Sequence, residues 1–283
     1  MREELHYTLI TGASEGLGKA FALECAERGH NLILVALPGK ELHDLASFIE
    51  QNYPVRVWAM GKDLSETQQC HALFNEVKEA LLKVNFLINN VGLGGTISFQ
   101  DADIAFFEKQ ILLNVMATTM LTKIFIGELE ENNPSFILNV SSLATFFHLP
   151  RKQVYGATKS YVYSFSRSLR QELRDRGISV SVLCPGGINT NLQVTLMNKT
   201  GSWMSRRSIM SPENVARIAV EKTLQGKEVI VPGKLNHFFL FLGRILPDVI
   251  VRKIARRQIK NLVVQNPFIE FLKKKRKARQ TAA

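Results

Sequence analysis

The feature that most constrains the fold is a glycine-rich turn directly after the first apolar run. Residues 7–10 have β-strand composition, residues 11–18 read Thr-Gly-Ala-Ser-Glu-Gly-Leu-Gly, and residues 19–28 have helical composition. Glycines let the backbone approach a pyrophosphate, and the N-terminus of the following helix favours its charge. The spacing differs from the standard G-x-G-x-x-G fingerprint, and a glycine turn alone could be only a tight connection. Its place between a strand and a helix favours a dinucleotide-binding loop.

Short β-rich runs alternate with longer stretches of helical composition along most of the chain. Candidate strands lie at 7–11, 31–37, 55–60, 86–90, 135–140, 178–184 and 228–232, and the clearest candidate helices at 41–52, 65–83, 101–131 and 152–176. This alternation predicts a parallel sheet covered on both faces. A TIM barrel would need eight strands. Seven strands with a glycine loop after the first therefore favour a Rossmann-type, doubly wound α/β fold.

Tyr155 and Lys159 are four residues apart in a predicted helix, which places them on one face. A nearby ammonium favours the phenolate and lowers its pKa, so this tyrosine could exchange a proton near neutral pH. A tyrosine and a lysine at this spacing are also common on solvated helix faces. The pair alone therefore leaves both interpretations open.

Ser142 gives the pair a chemical context. It follows the predicted strand 135–140, at the edge where open α/β sheets place their ligands. A hydroxyl there could bind the substrate oxygen with which Tyr155 exchanges a proton, although loop serines commonly satisfy backbone groups. Serine, tyrosine and lysine together suit carbonyl reduction or alcohol oxidation.

The complete set of motifs resembles the classical short-chain dehydrogenase/reductase (SDR) family. The matching positions occur in family order from about residue 7 to about residue 232, and they are the loop 11–18, Asp63-Leu64, Asn89-Asn90-Val91-Gly92, Asn114, Ser142, Tyr155, Lys159 and the segment 185–190. Val91 stands where the family usually has alanine. The resemblance implies an NAD(P)-dependent oxidoreductase that interconverts a ketone and a secondary alcohol.

The resemblance also implies a role for each matching residue. Tyr155 would be the acid/base, and Lys159 would lower its pKa and hold the nicotinamide ribose. Ser142 would orient the carbonyl, and Asn114 would anchor a water that relays protons through Lys159. The implied cofactor contacts are Gly12, Ser14, Gly16, Leu17, Gly18, Asp63, Leu64, Asn90, Gly92, Tyr155, Lys159, Pro185, Gly186, Ile188 and Thr190. No metal site is expected.

The choice between the two nicotinamide cofactors depends on the end of the second strand. An acid there would bind the adenosine ribose and reject the extra phosphate of NADP. Residues 34–40 contain no acid, and they also lack the arginine that NADP-preferring relatives usually carry. Glu15 stands where many of those relatives have a basic residue, whereas Lys40 could reach the phosphate. The missing acid slightly favours NADP(H) over NAD(H).

The segment after Thr190 predicts the substrate class. In the family this segment closes over the substrate, and here residues 191–210 include Trp203 and several methionines. Phe146, Phe147 and Leu149 would add apolar walls between Ser142 and Tyr155. Such residues suit an apolar ligand, although ordinary helix packing would use them equally well. We predict a small apolar substrate of acyl-chain or steroid type.

The formal charge of +11 is concentrated at the C-terminus. Residues 244–283 contain 12 Lys/Arg and 2 Asp/Glu, a net charge of +10, which leaves +1 for residues 1–243. Residues 252–264 interleave apolar and basic side chains at helical spacing, and the apolar run 238–242 is too short to span a membrane. We therefore divide the chain into a dinucleotide-binding catalytic domain, 1–234, and an amphipathic basic extension, 235–283.

Three uses of this extension are considered. Residues 249–279 could lie on an anionic membrane surface, or a helix could pack on the body or a second subunit beside a solvated tail. Binding to nucleic acid through phosphates is the least favoured use. The expected protein partner is a second copy of the chain, which would form a homo-oligomer.

The cysteines and the amino terminus bear on localisation. The three cysteines are widely spaced and form no C-x-x-C pattern, which argues against a disulfide framework and fits a reducing compartment. The first strand begins almost at once and leaves no room for a signal peptide. We expect a cytoplasmic protein, with membrane association at the cytoplasmic face as a further option.

A non-catalytic protein is the alternative to an enzyme. Dinucleotide-binding folds also serve as sensors or scaffolds, and this one could dock to a membrane or partner through its basic extension. A sensor has no use for Ser142, Tyr155 and Lys159 together. Their joint presence favours the enzyme.

Overall fold

A computed structural model describes residues 5–189 and 207–245, in which seven parallel strands form one sheet. The strands are β1 (His6–Thr11), β2 (Asn31–Ala36), β3 (Val57–Gly61), β4 (Lys83–Asn89), β5 (Ser135–Val140), β6 (Ile178–Leu183) and β7 (Val229–Ile230). Their order across the sheet is β3-β2-β1-β4-β5-β6-β7. The predicted Rossmann-type fold is confirmed. The largest shift in a strand start is at β4, which begins at Lys83 rather than residue 86.

Helices connect the strands and cover both faces of the sheet. They are α1 (Gly16–Glu27), α2 (Lys40–Asn52), α3 (Thr67–Glu79), α4 (Ile104–Ile111), α5 (Ala117–Glu131), α6 (Gln153–Leu173), α7 (Pro212–Leu224) and α8 (Lys234–Ile245). The sequence predicted one helix over 101–131, but a π-helical turn, Leu112–Met116, separates α4 from α5. The predicted helix 152–176 ends three residues early as α6, because Arg174–Arg176 form a 3₁₀ turn before Gly177.

Successive strand residues alternate between two apolar cores. Leu32 and Leu34 pack with buried residues of α1, α2 and α7 on one face of the sheet. Ile33 and Val35 pack with α3, α5 and α6 on the other face. Burial on both faces explains why the strands are almost continuously apolar instead of alternating with polar residues.

The topology also determines where a ligand can bind. The chain reverses its direction across the sheet between β1 and β4, which are neighbours in the strand order. In doubly wound sheets the carboxyl ends of the strands open a crevice at such a switch point. The glycine loop follows β1 and therefore lies at this crevice.

One helical stretch within the described residues, Ile104–Glu131, is long and apolar enough to span a membrane by length and composition. Buried core helices meet the same criteria. Leu121, Phe125 and Leu129 of α5 are fully buried and belong to the core that contains residues of α3 and α6. This stretch accordingly packs as a core layer of the fold.

Helix α8 crosses the domain boundary that was predicted between residues 234 and 235. Asn236 is 2% exposed, whereas Phe238 and Phe241 are 49% and 59% exposed. The start of the predicted extension therefore packs on the body. Residues 191–206 of the predicted substrate segment, 191–210, and residues 246–283 of the predicted extension lie outside the described residues.

Candidate active site

Three strand ends bring the predicted site residues to one edge of the sheet. The loop 11–18 follows β1, residues 90–92 follow β4, and Ser142 follows β5. Tyr155 and Lys159 lie in the first two turns of α6, which packs against β6 and the turn after Ser142. The site is thus assembled by parallel topology, since the strands end at the same edge.

The backbone of the loop requires glycine at specific positions. Gly12 and Gly16 have φ angles of +64° and +54°, in the left-handed region that favours glycine. At Gly18 a Cβ atom would lie 1.9 Å from the Gly12 carbonyl oxygen. Helix α1 can therefore pack directly against the loop only because Gly18 has no side chain.

Asn90 and Thr11 fix the shape of the loop. The Asn90 side-chain amide donates to the carbonyl oxygens of Thr11 and Gly12, at 2.9 and 3.2 Å. The Thr11 hydroxyl oxygen accepts from the backbone N–H groups of Asn90 and Val91, at 2.9 and 3.0 Å. Asn90 therefore acts on the loop backbone, and Thr11 is a site residue whose side chain the sequence reasoning missed.

The start of α1 suits a pyrophosphate. Glu15, at the N-cap, makes no side-chain capping bond, and the first helical turn contains no acid. The first N–H groups of a helix lack partners within the helix, and the helix dipole favours an anion there. Ser14 is partly buried in the loop and Leu17 is buried below it. These residues fit the dinucleotide that the sequence predicts.

Asp63 and Leu64 follow β3, on the side of the sheet predicted to hold the adenine. The Asp63 carboxylate accepts from the Ser65 backbone N–H at 3.0 Å and from its hydroxyl at 2.6 Å. These hydrogen bonds and the nearby Lys109 hold the pKa of Asp63 below its usual value, against a smaller effect of burial. Asp63 is therefore an ionised, fixed acceptor, while Leu64 is buried.

The end of β2 carries both signs of charge. Lys40 has its ammonium 4.0 Å from the Asp44 carboxylate. A Cβ atom on Gly39 would lie 3.1 Å from the Glu41 carboxylate, so that acid folds back over the start of α2. Leu37 is 57% exposed. The local charges accordingly give no simple preference for a ribose phosphate.

The Ser142 hydroxyl lies close enough to the Tyr155 phenol to act on its pKa by hydrogen bonding. Burial raises the pKa of the Tyr155 phenol above its usual value, and the Ser142 hydrogen bond partly opposes that rise. The Ser142 oxygen also accepts from the Ala144 N–H at 3.1 Å, which fixes the hydroxyl at the start of a 3₁₀ turn. The two hydroxyls can therefore contact one substrate oxygen.

Lys159 is 5% exposed, and its ammonium donates to the Val140 carbonyl oxygen at 2.8 Å. Burial lowers the pKa of Lys159 to about 8, although the nearby Cys184 raises it slightly. Burial raises the pKa of the Cys184 thiol to about 12. Ser142, and not Lys159, is the group that lowers the Tyr155 pKa in this structure. The effect of Lys159 on that pKa stays a prediction.

Asn114 lies in the π-helical turn and is fully buried. Its carbonyl accepts from the Leu93 N–H at 2.8 Å, and its amide donates to the Leu93 carbonyl at 3.1 Å and to the Thr158 hydroxyl at 2.9 Å. A Cβ atom on Gly92 would lie 2.7 Å from the Asn114 Oδ1 atom and 3.3 Å from the Lys159 Nζ atom. Gly92 therefore keeps space open between Asn114 and Lys159.

The loop after β6 contains the remaining predicted cofactor contacts. The Pro185 carbonyl accepts from the Leu143 N–H at 2.9 Å, and Ile188 forms a β-bridge with Met210. A Cβ atom on Gly186 would lie 2.7 Å from the Oδ1 atom of Asn236 on α8. Sequence reasoning missed Asn236 because it occurs in no motif. Thr190 lies outside the described residues.

Lys152 is a second residue that the motifs did not single out. Its ammonium lies 5.1 Å from the centroid of the Tyr155 ring. The sequence could have indicated Lys152 through its position three residues before Tyr155, at the start of the same helix. It places a cation at the predicted acid/base.

The glycine loop lies at the switch point of the sheet, beside Ser142, Tyr155 and Lys159. This combination is typical of nicotinamide-dependent oxidoreductases. The family model described as short chain dehydrogenase matches residues 6–201. The chain therefore belongs to the short-chain dehydrogenase/reductase family, as the motifs predicted, and it is an NAD(P)-dependent enzyme of that family.

Three similar proteins illustrate the relationship. The chain is 28% identical to the very-long-chain 3-oxoacyl-CoA reductase of Anas platyrhynchos, over 96% of this chain and 84% of that protein. It is 31% identical to the 17-beta-hydroxysteroid dehydrogenase type 3 of Mus musculus, over 70% of this chain and 65% of that protein. A short-chain dehydrogenase from Sphingobium yanoikuyae, solved with NADPH, has a TM-score of 0.73 and 27% identity, with 86% of this chain and 97% of that chain covered.

Proposed function

We propose that the protein interconverts a ketone and a secondary alcohol on an apolar substrate, with Tyr155 as the acid/base. The observation that carries the proposal is the location of Ser142 and Tyr155 beside the glycine loop, where Ser142 is fixed by the Ala144 N–H and acts on the Tyr155 pKa. Two hydroxyls at this edge suit a single carbonyl oxygen. When bound, the nicotinamide cofactor supplies or accepts the hydride.

The protonation state of Tyr155 suits carbonyl reduction. Because burial raises its pKa, the phenol keeps its proton at neutral pH and can donate it to the carbonyl oxygen. Ser142 accepts from the Ala144 N–H through its oxygen, and its one hydrogen, which faces the Tyr155 oxygen, would donate to the same carbonyl when substrate binds. In the oxidation direction Tyr155 would accept the alcohol proton.

Lys159 and Asn114 are proposed to return the proton to Tyr155. The space beside Gly92 separates the Asn114 carbonyl oxygen from the Lys159 ammonium, and a water there would have a partner on each side. Lys159 keeps its charge below about pH 8, so it can donate a proton to such a water at neutral pH. Its ammonium is also proposed to hold the nicotinamide ribose.

For the cofactor, we propose NADP(H) in preference to NAD(H). The support is the absence of an acid in residues 34–40, where an acid would reject the extra phosphate. The relative from Sphingobium yanoikuyae was solved with NADPH. The remaining contacts are those predicted from the sequence, with Asn90 shaping the loop.

For the substrate, we propose an acyl-chain or steroid-like ketone. Phe146 and Phe147 lie in the chain segment between Ser142 and Tyr155, and both are partly buried, with Phe146 packed on Tyr163 at a ring-centroid distance of 5.0 Å. We propose that this segment forms an apolar wall of the site. The relatives named above act on 3-oxoacyl-CoA and on a hydroxysteroid. A role in lipid metabolism would follow from either substrate.

For assembly and localisation, we propose a cytoplasmic homo-oligomer that binds the membrane face through residues 249–279. Met116 and Tyr161 are 40% and 39% exposed, which provides apolar surface for a second copy. The net charge of +10 in residues 244–283 supports binding to an anionic surface. Domain limits of 1–234 and 235–283 belong to the same proposal, with α8 packed on the body.

A ketone panel tests the proposed function. Purified full-length protein is mixed with NADPH or NADH and with long-chain 3-oxoacyl thioesters, ketosteroids and small polar ketosugars. We expect oxidation of the cofactor, monitored by absorbance, with the apolar ketones and faster with NADPH. Turnover of the ketosugars alone would contradict the substrate class. Cofactor binding without turnover of any ketone would favour a non-catalytic sensor.

A further inference from the structure

We propose that a cationic recess beside Tyr155 binds an anionic oxygen group that the substrate carries a few bonds from its reacting ketone. The lining of the recess includes Ile97, Arg151, Lys152 and Tyr155. The inference rests on the proposed function, because it specifies the substrate class of the same site. It distinguishes an acidic keto-lipid from a neutral steroid.

The charge of the recess has one sign. Arg151 and Lys152 are the charged side chains among the lining residues, and no carboxylate lines it. The Lys152 ammonium lies 5.1 Å from the centroid of the Tyr155 ring, and burial lowers the pKa of Lys152. Among residues 5–189 and 207–245, no salt bridge or side-chain hydrogen bond of this ammonium is present.

Lys152 is partly buried, and an ammonium that loses part of its hydration without a counter-ion destabilises the site. Burying a charge is costly unless it is paired and hydrogen-bonded, and the ring face of Tyr155 offsets only part of that cost. An anionic ligand would provide the missing partner. The recess therefore favours a ligand with negative charge over a neutral one.

The backbone reinforces the same preference. Helix α6 has 21 residues and begins at Gln153, its N-cap Lys152 makes no side-chain capping bond, and its first turn contains no acid. The positive end of the helix dipole therefore points toward the recess without a negative side chain to neutralise it.

Arg151 is held beside this helix start by its backbone. Its φ angle is +62°, in a region that non-glycine residues rarely adopt. The Ile97 N–H donates to the Arg151 carbonyl at 3.0 Å, so residues on both sides of the recess are connected. The connection keeps Arg151 at the recess as a second cation.

The size and position of the recess limit the kind of molecule that can carry the anionic group. The recess has a volume of about 10 Å³, which accommodates one oxygen of an anionic group while the rest of the group and the substrate stay outside. Tyr155 lines it, so an oxygen bound there would lie a few bonds from a carbonyl at the Tyr155 hydroxyl. A ketone with a carboxylate or phosphoryl group near the carbonyl meets both conditions.

A matched pair of ketones tests the inference. The first is a long-chain β-ketophosphonate, and the second is its dimethyl ester, which has the same ketone and chain without the charge. We expect wild-type protein to favour the phosphonate in kcat/KM. Lys152→Met should lower the phosphonate-to-ester ratio about tenfold, the effect of losing one charge-assisted hydrogen bond. Both ketones react at Tyr155, so a change in that chemical step alters both values of kcat/KM and cancels in their ratio.

Two further variants control the comparison. Lys152→Arg keeps the charge and should retain most of the preference. Lys123→Met removes an exposed lysine from α5, outside the recess, and should leave the ratio unchanged. A wild-type preference for the ester, or an equal ratio in Lys152→Met and wild type, would overturn the inference.

Direct binding separates this inference from the proposed function. Calorimetric titration of the phosphonate into wild-type protein needs no turnover, and circular dichroism checks that each variant is folded. If the wild type reduces neither ketone, the proposed function fails. Even then, about tenfold weaker phosphonate binding by Lys152→Met supports the recess, and equal binding overturns it. If Lys152→Met does not fold, loss of phosphonate binding in Lys152→Gln decides the question in the same way.

Discussion

Ser142 contributes both hydrogen-bonding functions of its hydroxyl to the site. The oxygen accepts from the Ala144 N–H, and the hydroxyl lies beside Tyr155, where its hydrogen bonding lowers the pKa of the phenol. Ser142→Ala removes this effect, so the Tyr155 pKa rises and less phenolate forms at a given pH. We expect alcohol oxidation to slow by about a hundredfold. Its pH profile should shift to higher pH, whereas Ser142→Thr should keep the wild-type profile. An unshifted profile in Ser142→Ala would contradict this assignment.

The titration of Lys159 makes the stability of the protein depend on pH. Its pKa falls from 10.5 to about 8 on folding, so above pH 8 the native state loses this proton before the unfolded state does. Because the unfolded state then binds more protons, the Lys159 contribution to the free energy of unfolding rises with pH. Relative to Lys159→Met, wild-type protein should gain about 1 kcal/mol between about pH 8 and pH 9.

Urea titrations of the cofactor-free proteins measure this difference. Comparison of the two proteins cancels the contributions of groups that do not interact with Lys159, whereas Cys184 does interact with it. The interval ends near the ordinary thiol pKa of 9.0, because Cys184 stays protonated in the native state and would oppose the rise at higher pH. A constant stability difference across the interval would show that Lys159 titrates normally.

Single residues were predictable from sequence only where a motif fixes their spacing. The sequence predicted that Ser142 lies near Tyr155 and Lys159. Ser142 follows a predicted strand, and the other two residues share one face of the next predicted helix. Thr11 and Asn236 act through contacts between segments far apart in the chain, at 79 residues for Thr11 with Asn90. No local pattern encodes such contacts.

At the scale of elements, helix α1 depends on one glycine. Gly18→Ala would place a Cβ atom 1.9 Å from the Gly12 carbonyl oxygen, so the helix must move away from the loop. We expect loss of stability and at least about tenfold weaker NADPH binding, measured by fluorescence titration. Gly127→Ala on α5 is the matched control, because its Cβ would have no atom within 4 Å. It should stabilise the protein by about 0.5–1 kcal/mol and leave binding unchanged. Equal NADPH affinity in both variants would contradict the packing argument.

The elements differ in how well the sequence encodes them. The strands were predictable because both faces of the sheet are buried, which leaves uninterrupted apolar runs such as residues 31–36. The π turn Leu112–Met116 was not predictable, since its composition continues the helical pattern of α4 and α5. It is held by Asn114, whose amide hydrogen-bonds Leu93 and Thr158. The π turn is therefore stabilised by contacts of the site and not by the helix propensity of its own residues.

At the scale of the whole molecule, charge is divided between the body and the extension. We expect the full chain to co-sediment with vesicles that contain phosphatidylserine, and a chain that ends at Ile245 to remain in solution. This end point preserves α8, whose Asn236 is buried in the body. Neutral phosphatidylcholine vesicles are the control, and binding should weaken with salt. Equal binding of both chains would contradict the proposed role of residues 249–279.

The overall topology was the most predictable property, because alternation and a glycine loop leave few arrangements of seven parallel strands. The preference between NADP(H) and NAD(H) was the least predictable. It depends on side chains such as Lys40 and Glu41, whose direction the sequence does not specify. The substrate class that we propose depends in the same way on the direction of side chains, those that line the recess beside Tyr155.

The central claim is that Tyr155 transfers the proton in a reaction on a ketone. Tyr155→Phe removes the hydroxyl and keeps the ring, and Tyr161→Phe on the same helix is the matched control, with its hydroxyl bonded to Thr119 at 2.9 Å. The decisive measurement is kcat with an apolar ketone, together with NADPH affinity, for both variants. We predict that Tyr155→Phe binds NADPH as the wild type does and loses about a thousandfold in kcat, whereas Tyr161→Phe keeps both. Wild-type turnover by Tyr155→Phe would contradict the account.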